Sequence, residues 1–398
     1  MELAIHAEGL VSPALREIEV VERKGIGHSD TICDAIAEQV CIALCRYYQK
    51  EFGLILHHNV DKVLLCGGTS RPVFGGGEII EPIEIYLAGR ATSEYGGVRI
   101  PTDEIAIAAC REWLSTHFHE LDMDRHVRIT PRLRPGSSEL RSLFGRSAEA
   151  PMANDTAYGA GFAPLTDLEK TVLEVERTLN REETKDTHPE IGADIKVMGV
   201  RCGGRIVLTI SCAFVSKFVT DAEDYMRSKA AVREIALSAA RRLSTLDVEI
   251  KVNTADDVEH GEMYLTVTGT SAECGDEGEV GRGNRASGLI TPYRVMAIDA
   301  PAGKNPISHP GKLYNIVAQR IAGSVVRDLS DVEDAACLLV SQIGRPIDDP
   351  QIVDIRLAVR GTEIPGTHTS KVKETVDSHL SQLSLVRDAL INGEITVY

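Results

Sequence analysis

What this chain can fold into is limited above all by the order of its apolar periodicities: strand-like pairs, each interrupted by a single helix, recur about three times. Glu17–Val21 alternates acidic and apolar residues, as a half-buried strand does, and runs into Gly25-Ile26-Gly27-His28-Ser29-Asp30. A helix is predicted from about Thr31 to Tyr48, with Ser29 as N-cap and Asp30 in the first turn. Strands are predicted at Lys62–Cys66 and Ile79–Ala88 around the loop Gly75-Gly76-Gly77, then a helix at Thr102–Phe118 and a strand at His126–Thr130. A helix at Leu165–Leu179 follows, then a strand pair, Ile195–Val200 with Arg205–Val215, across Cys202-Gly203-Gly204. Next come a helix at Asp221–Leu243 and strands at Val248–Asn253 and Met263–Gly269. The chain closes with a helix at Gly311–Leu329, strands at Ala336–Ile343 and Ile352–Ala358, and a helix at Thr369–Leu390. This order predicts an α+β protein of similar sandwich-like units, with helices on mostly antiparallel sheets. A doubly wound parallel sheet would need regular βαβα alternation. Soft divisions fall at 1–150, 151–260 and 261–398, and Thr184–Pro189 and Arg360–Ser370 are expected to be exposed loops.

With 398 residues, 43% of them hydrophobic, the chain can bury a large core. Its formal net charge of −16 excludes a nucleic-acid scaffold or an anionic-membrane binder, both of which need broad positive fields. None of the nine cysteines forms a C-x-x-C pair, so zinc-ribbon and thioredoxin readings fail, and Cys41, Cys45 and Cys212 lie in apolar runs where a thiol acts as a small hydrophobe. The expectation is a reducing cytoplasm without a disulfide framework. Met1–Pro13 lacks the basic start and apolar centre of a signal peptide, and no apolar run approaches the length of a membrane span.

Chemistry concentrates in a few segments. Gly303-Lys304-Asn305-Pro306 and His309-Pro310-Gly311-Lys312 follow Asp276-Glu277-Gly278-Glu279-Val280-Gly281-Arg282-Gly283-Asn284-Arg285 by about twenty residues. Lys304, Lys312, Arg282 and Arg285 thus stand among glycines and carboxylates, a mixture suited to a polyphosphate and its metal. Gly281–Ala286 matches a dinucleotide pattern literally but follows no buried strand, and Gly303-Lys304 lacks the rest of a Walker loop. At 25–30, a glycine pair before a helix reads as a ready anion site, with His28 able to meet a phosphate and Asp30 a metal. Asp30, Asp34 and Glu38 share one helical face, and such a row is expected to be solvated, so only Asp30 is carried forward. In Ala153–Pro164, Asp155 could bind a ribose hydroxyl or a metal, and Tyr158 and Phe162 could stack on a base. His57 and His58, adjacent on a strand, point to opposite faces and make a poor chelate. No Ser/His/Asp order, G-x-S-x-G elbow or catalytic-cysteine signature is present, so acyl transfer is not implied.

Together, G-I-G-H-S-D at 25–30, A-N-D-T-A-Y-G-A-G-F-A-P at 153–164, G-T-S-A-E-C-G-D-E-G-E-V-G-R-G-N-R at 269–285 and G-K-N-P-I-S-H-P-G-K at 303–312 resemble the archaeal type of S-adenosylmethionine synthetase. Motif order and spacing fit over nearly the whole chain. The resemblance implies three similar α+β domains around a pseudo-threefold axis, with the chain crossing between them, and a homodimer with active sites at its interface. It implies ATP and L-methionine as substrates, the methionine sulfur attacking C5′ of ATP and the triphosphate leaving, to be hydrolysed to phosphate and diphosphate. His28 and Lys304 would sit on the triphosphate with Arg282 assisting. Asp30 and Asp276 would hold Mg²⁺, Asp155 would face the nucleoside, and Lys312 would add a second cation. Arg285, Gly136 and Ser137 complete the expected ligand-binding set, and K⁺ is implied without residues attached to it.

The chain departs from the family at its second substrate. Where the family reads G-Q-G-S, this sequence has Arg134-Pro135-Gly136-Ser137, followed by Ser138 and Glu139. Pro135 fixes φ and replaces an amide side chain. The family's H-P-D becomes His28-Ser29-Asp30, and its A-S-G-K becomes Pro301-Ala302-Gly303-Lys304. These changes leave open an adenosyltransferase paralogue that takes a methionine analogue or another acceptor.

Overall fold

The computed structural model describes residues 1–7, 12–137, 151–360 and 364–398. The first stretch of chain contains β1 (Glu2–Ala7), β2 (Ile18–Lys24), α1 (Ser29–Phe52), β3 (His58–Cys66), β4 (Thr69–Val73), β5 (Gly76–Glu81), β6 (Ile83–Ala91), β7 (Glu94–Tyr95), β8 (Val98–Arg99), α2 (Thr102–His117) and β9 (Val127–Arg134). Then come β10 (Tyr158–Ala163), α3 (Asp167–Asn180), α4 (Glu182–Thr187), β11 (Ile191–Cys202), β12 (Arg205–Val215), α5 (Ala222–Arg241), β13 (Asp247–Val252), β14 (Leu265–Thr266) and β15 (Gly278–Glu279). The last elements are α6 (Pro310–Asp328), β16 (Val332–Val340), β17 (Ile352–Val359), α7 (Gly366–Ser381) and α8 (Leu383–Asn392).

The fold is α+β, as the element order predicts, and its three main sheets share one wiring. In the order β1-β17-β16-β10, the first pair is parallel and the next two are antiparallel. The order β13-β12-β11-β2 repeats this, and so does β9-β6-β3-β15. Each sheet lays one face on helices: α6 on the first, α3 and α5 on the second, α1 and α2 on the third. The apolar face of a sheet must be covered, and these helices do so. The sheets are not built from consecutive chain, because β1 and β2 enter different sheets within the first 24 residues and β15 returns to the strands of 58–134. One core runs under the first and third sheets through Ile36, Val40, Leu87, Trp113, Val317 and Ile355, and a second lies under the other sheet around Val172, Ile195, Phe214 and Tyr225.

Several boundaries moved for identifiable reasons. The single strand expected at 79–88 is two, β5 and β6, separated at Pro82, which has no N–H to give a ladder. The last helix breaks at Gln382 into α7 and α8, and the strand expected at Met263–Gly269 shrinks to β14. Thr184–Pro189 is not wholly loop, since α4 runs through Thr187. β1 and β10 were not anticipated. β10 reads as a loop because glycine is depleted in strands. Here its glycines admit α6: a Cβ on Gly159 would lie 2.2 Å from the Tyr314 carbonyl carbon, and one on Gly161 2.1 Å from the Gln319 nitrogen. Among the described residues no helix is long and apolar enough to cross a membrane.

Candidate active site

The site is organised by one face of α1. Asp30, Asp34 and Glu38 recur at helical spacing, and the structure buries all three, contrary to the solvated row expected. Each accepts a backbone N–H from a glycine-rich loop: Asp30 Oδ1 from Glu279 at 3.0 Å, Asp34 Oδ1 from Gly281 at 2.9 Å, Glu38 Oε2 from Gly303 at 3.0 Å. The helix face is thus a ladder on which both loops hang. Arg285 closes the first loop on itself and on the segment that leads to the second, donating to the carbonyls of Gly281, Gly283 and Ile298.

At the N-terminus of α1 the residues of the first and third segments meet. His28 is the N-cap, its Nδ1 accepting from the Asp30 N–H at 3.2 Å, so the cap lies one residue before the Ser29 expected. Ser29 instead donates to Asp276 Oδ2 at 2.7 Å and to the Glu277 carbonyl, which ties Asp276 to the first turn of α1. Ser271 donates to the same Asp276 oxygen at 3.1 Å and also to Asp194. Lys24 Nζ reaches Asp30 Oδ2 at 2.8 Å and the Arg282 carbonyl at 2.8 Å. The Arg282 side chain is 71% exposed and its Nε stands 3.9 Å from Asp30, free to turn toward an incoming anion. Burial pushes the Asp34 carboxyl up to about 7, with Arg285 and the Gly281 N–H only partly offsetting it. Asp34 Oδ2 is a buried oxygen without a hydrogen-bond partner, and Asp30 is among the charges acting on it; hard oxygen donors of this kind are the type that suits a divalent cation.

A second group gathers around Lys304. The residue is 3% exposed, and its ammonium donates to the Ala300 carbonyl and lies 2.8 Å from Asp299 and 3.4 Å from Asp61. Burial opposes ionisation of Asp61, yet Lys304 and Lys62 hold its carboxyl below the usual range. Gly303 makes this placement possible: at φ 73° its missing Cβ would lie 2.2 Å from the Val60 carbonyl oxygen. His309 caps α6 by accepting the Gly311 N–H at 3.1 Å, and its Nε2 stands 3.6 Å from exposed Asp155. Burial, with Lys304 beside it, drives His309 down to about 3, so that contact is with a neutral imidazole and is not an ion pair.

Other expected contributors are placed differently. The N–H groups of Gly25 and Gly27 do not form an anion cradle. They donate to the carbonyls of Ile195 at 2.7 Å and Ala193 at 3.0 Å, and a Cβ on either glycine would strike β11. Arg285 is committed to loop carbonyls, burial pulling its pKa down, and so acts as a staple. Lys312 is fully buried, its ammonium donating to both Glu38 oxygens at 2.6 and 2.7 Å, and it reaches no open space. Phe162 is buried under the Arg294 guanidinium at 4.5 Å, so it is unavailable for a base, while Tyr158 stays exposed. Gly136 is buried against His57, whose ring a Cβ would meet at 2.8 Å, and Arg134, Pro135 and Ser137 are exposed beside it. Ser138 and Glu139 lie outside the described residues.

Sequence reasoning missed Lys24, Asp34, Glu38, Asp61, Asp299 and His309. For Asp34 and Glu38 the signal was present in the shared face with Asp30. What hid it was the ordinary prior that charged rows face water.

Three comparisons bear on this geometry. The family model described as S-adenosylmethionine synthetase (AdoMet synthetase) matches residues 3–394. The chain is 52% identical over 385 residues to a probable S-adenosylmethionine synthase of Aquifex aeolicus, covering 96% of each chain. It is 46% identical over 391 residues to the S-adenosylmethionine synthase of Pyrobaculum aerophilum, covering 97% of each. Among solved structures, an unusual S-adenosylmethionine synthetase from Campylobacter jejuni superposes with a TM-score of 0.63 at 15% identity, over 92% of this chain and 88% of that one, a likeness of fold.

Proposed function

The chain belongs to the S-adenosylmethionine synthetase family, and from that premise we propose that it is a methionine adenosyltransferase joining ATP and L-methionine. The methionine sulfur forms a bond to C5′ of ATP as the C5′–oxygen bond breaks, giving a sulfonium and free triphosphate. A thioether has no proton to lose, so no general base is required, which agrees with a site rich in cations and carboxylates. The barrier lies in the charge that gathers on the leaving triphosphate, and preorganised positive groups lower it. The observation that carries this reading is the α1 ladder, which ties both glycine-rich loops to the helix bearing His28.

In this reading His28, Lys304 and Arg282 receive the triphosphate, Lys304 exchanging Asp299 for a phosphate oxygen. Asp30 and Asp276 hold Mg²⁺, which when bound screens the phosphate charge. Asp155 faces the nucleoside, with Gly136 and Ser137 toward the second substrate. The triphosphate is then hydrolysed by water to phosphate and diphosphate at the same cations. K⁺ is the further cofactor, and the working form is a cytoplasmic homodimer with its sites at the interface, so sedimentation would give twice the chain mass of 43.2 kDa.

Incubation with ATP, methionine, Mg²⁺ and K⁺ yields the sulfonium product, phosphate and diphosphate. Absence of the sulfonium at high methionine overturns the proposal. Lys304→Ala lowers kcat by about 10²–10³, the loss seen when one preorganised donor to a developing anion is removed. Turnover within a few-fold of the parent would remove Lys304 from the role. Replacing Arg134-Pro135 by Gly-Gln, assayed across methionine analogues, changes the acceptor preference if this loop selects the second substrate; an unchanged preference places that choice elsewhere.

A further inference from the structure

Against the main chain of Lys304, Cys41, Cys45 and His58 converge in the core. All three are 0–1% exposed, and one donor atom from each falls within 4.8 Å of the others. Cys41 and Cys45 stand one turn apart on α1, and His58 opens β3. His58 Nδ1 is 2.8 Å from the Leu56 carbonyl, so it carries the proton and donates, which leaves the Nε2 lone pair bare. That lone pair faces Cys41 Sγ at 3.2 Å and Cys45 Sγ at 3.4 Å. The main-chain oxygen of Lys304 lies 3.2 Å from Cys41 Sγ. Two sulfurs and an imidazole nitrogen oriented by a carbonyl thus converge, with the Lys304 oxygen beside Cys41. Among the described residues no other group of histidine, cysteine and carboxylate donors converges this closely.

We propose that Cys41, Cys45 and His58 form a structural zinc site, with the Lys304 carbonyl as the nearest fourth donor. The ligand types are those of closed Cys/His sites, and a carbonyl holding the distal ring nitrogen is the usual support for a metal-bound histidine. The donor separations need only modest expansion, since about 2.3 Å from zinc to sulfur and about 2.0 Å to nitrogen place ligand atoms some 3.5–3.8 Å apart. Charge also closes. Zn²⁺ with two thiolates is neutral, and the adjacent buried charges, Lys312 and Glu38, already neutralise each other. Lys312 Nζ lies 3.8 Å from Cys41 Sγ. Binding releases the two thiol protons to solvent, and because all three ligands are buried the metal enters as the chain folds. The zinc would bolt α1, β3 and the main chain of Lys304 together, fixing the elements that carry His28, Asp61 and Lys304.

The test is metal analysis of the full-length protein expressed in zinc-supplemented medium and dialysed against metal-free buffer. The expected result is about one zinc per chain, retained in Cys202→Ser/Cys274→Ser, which alters the exposed thiols, and lost in Cys45→Ala. Growth with cobalt instead should give the thiolate-to-cobalt charge-transfer absorption of a Cys₂His set in the parent protein, which decides the matter even if Cys45→Ala does not fold. Parent protein with negligible zinc and no thiolate–cobalt band overturns the proposal. So does zinc that persists in folded Cys45→Ala or that is lost with the exposed thiols.

Discussion

Asp34 shows what a single side chain costs when a loop needs it. Its carboxyl accepts the Gly281 N–H, and burial lifts its pKa from the ordinary 3.8 to about 7. Between those two values the folded chain holds a proton that the unfolded chain has released, so stability falls as pH rises through the interval and the full cost is present above about 7. The shift bounds that cost at about 4 kcal/mol. Asp34→Asn should therefore raise the unfolding temperature of the nucleotide- and metal-free protein, more at pH 8 than at pH 5. Thermal scans at both pH values check this, and an equal or reversed gain would refute the account. Asp34 was half legible in the sequence. Its place on the face of Asp30 could be read from spacing alone, but its burial depends on Gly281, about 250 positions away.

Between elements, the buried pair of Lys312 and Glu38 joins α1 to α6 and to Gly303. Losing one partner strands a charge in the core, typically at about 3–5 kcal/mol, whereas an apolar pair of similar volume is often neutral. Glu38→Gln should lower the denaturant midpoint, and Glu38→Leu/Lys312→Met should recover most of that loss. A double variant no more stable than the single one would show that the pair matters through its loop hydrogen bond instead. The β10–α6 contact makes a steric prediction. Gly161→Ala places a methyl 2.1 Å from the Gln319 backbone, so strand and helix must part, at about 1–3 kcal/mol by analogy with overpacked cores. Equilibrium unfolding measures it, and a neutral result would mean that the contact is loose. β10 escaped the sequence reading for the same reason that it works: the glycines that weaken its strand signal are what let α6 approach.

Across the whole molecule, Arg294 ties one sheet unit to another. Its guanidinium bonds Glu169 of α3 at 2.9 Å and Asp334 of β16 at 2.7 Å, takes the Pro164 carbonyl, and lies over Phe162 of β10. Arg294→Ala leaves two buried carboxylates without a cation and should cost about 3–5 kcal/mol. Arg294→Lys should recover only part of it, because an ammonium cannot span the planar fork. Full recovery by lysine would reduce the role to charge alone, as read from denaturant midpoints. At this scale the sequence alone determined the α+β class, most element positions and the four segments that mark the family, because local periodicity and turn residues encode them directly. Only the tertiary structure decided which carboxylates are buried, which glycine N–H groups are spent on backbone, that Lys312 and Arg285 hold the scaffold, and that Cys41, Cys45 and His58 meet. Each of these depends on contacts between residues distant in the chain, and burial, unlike periodicity, is a property of the packed whole.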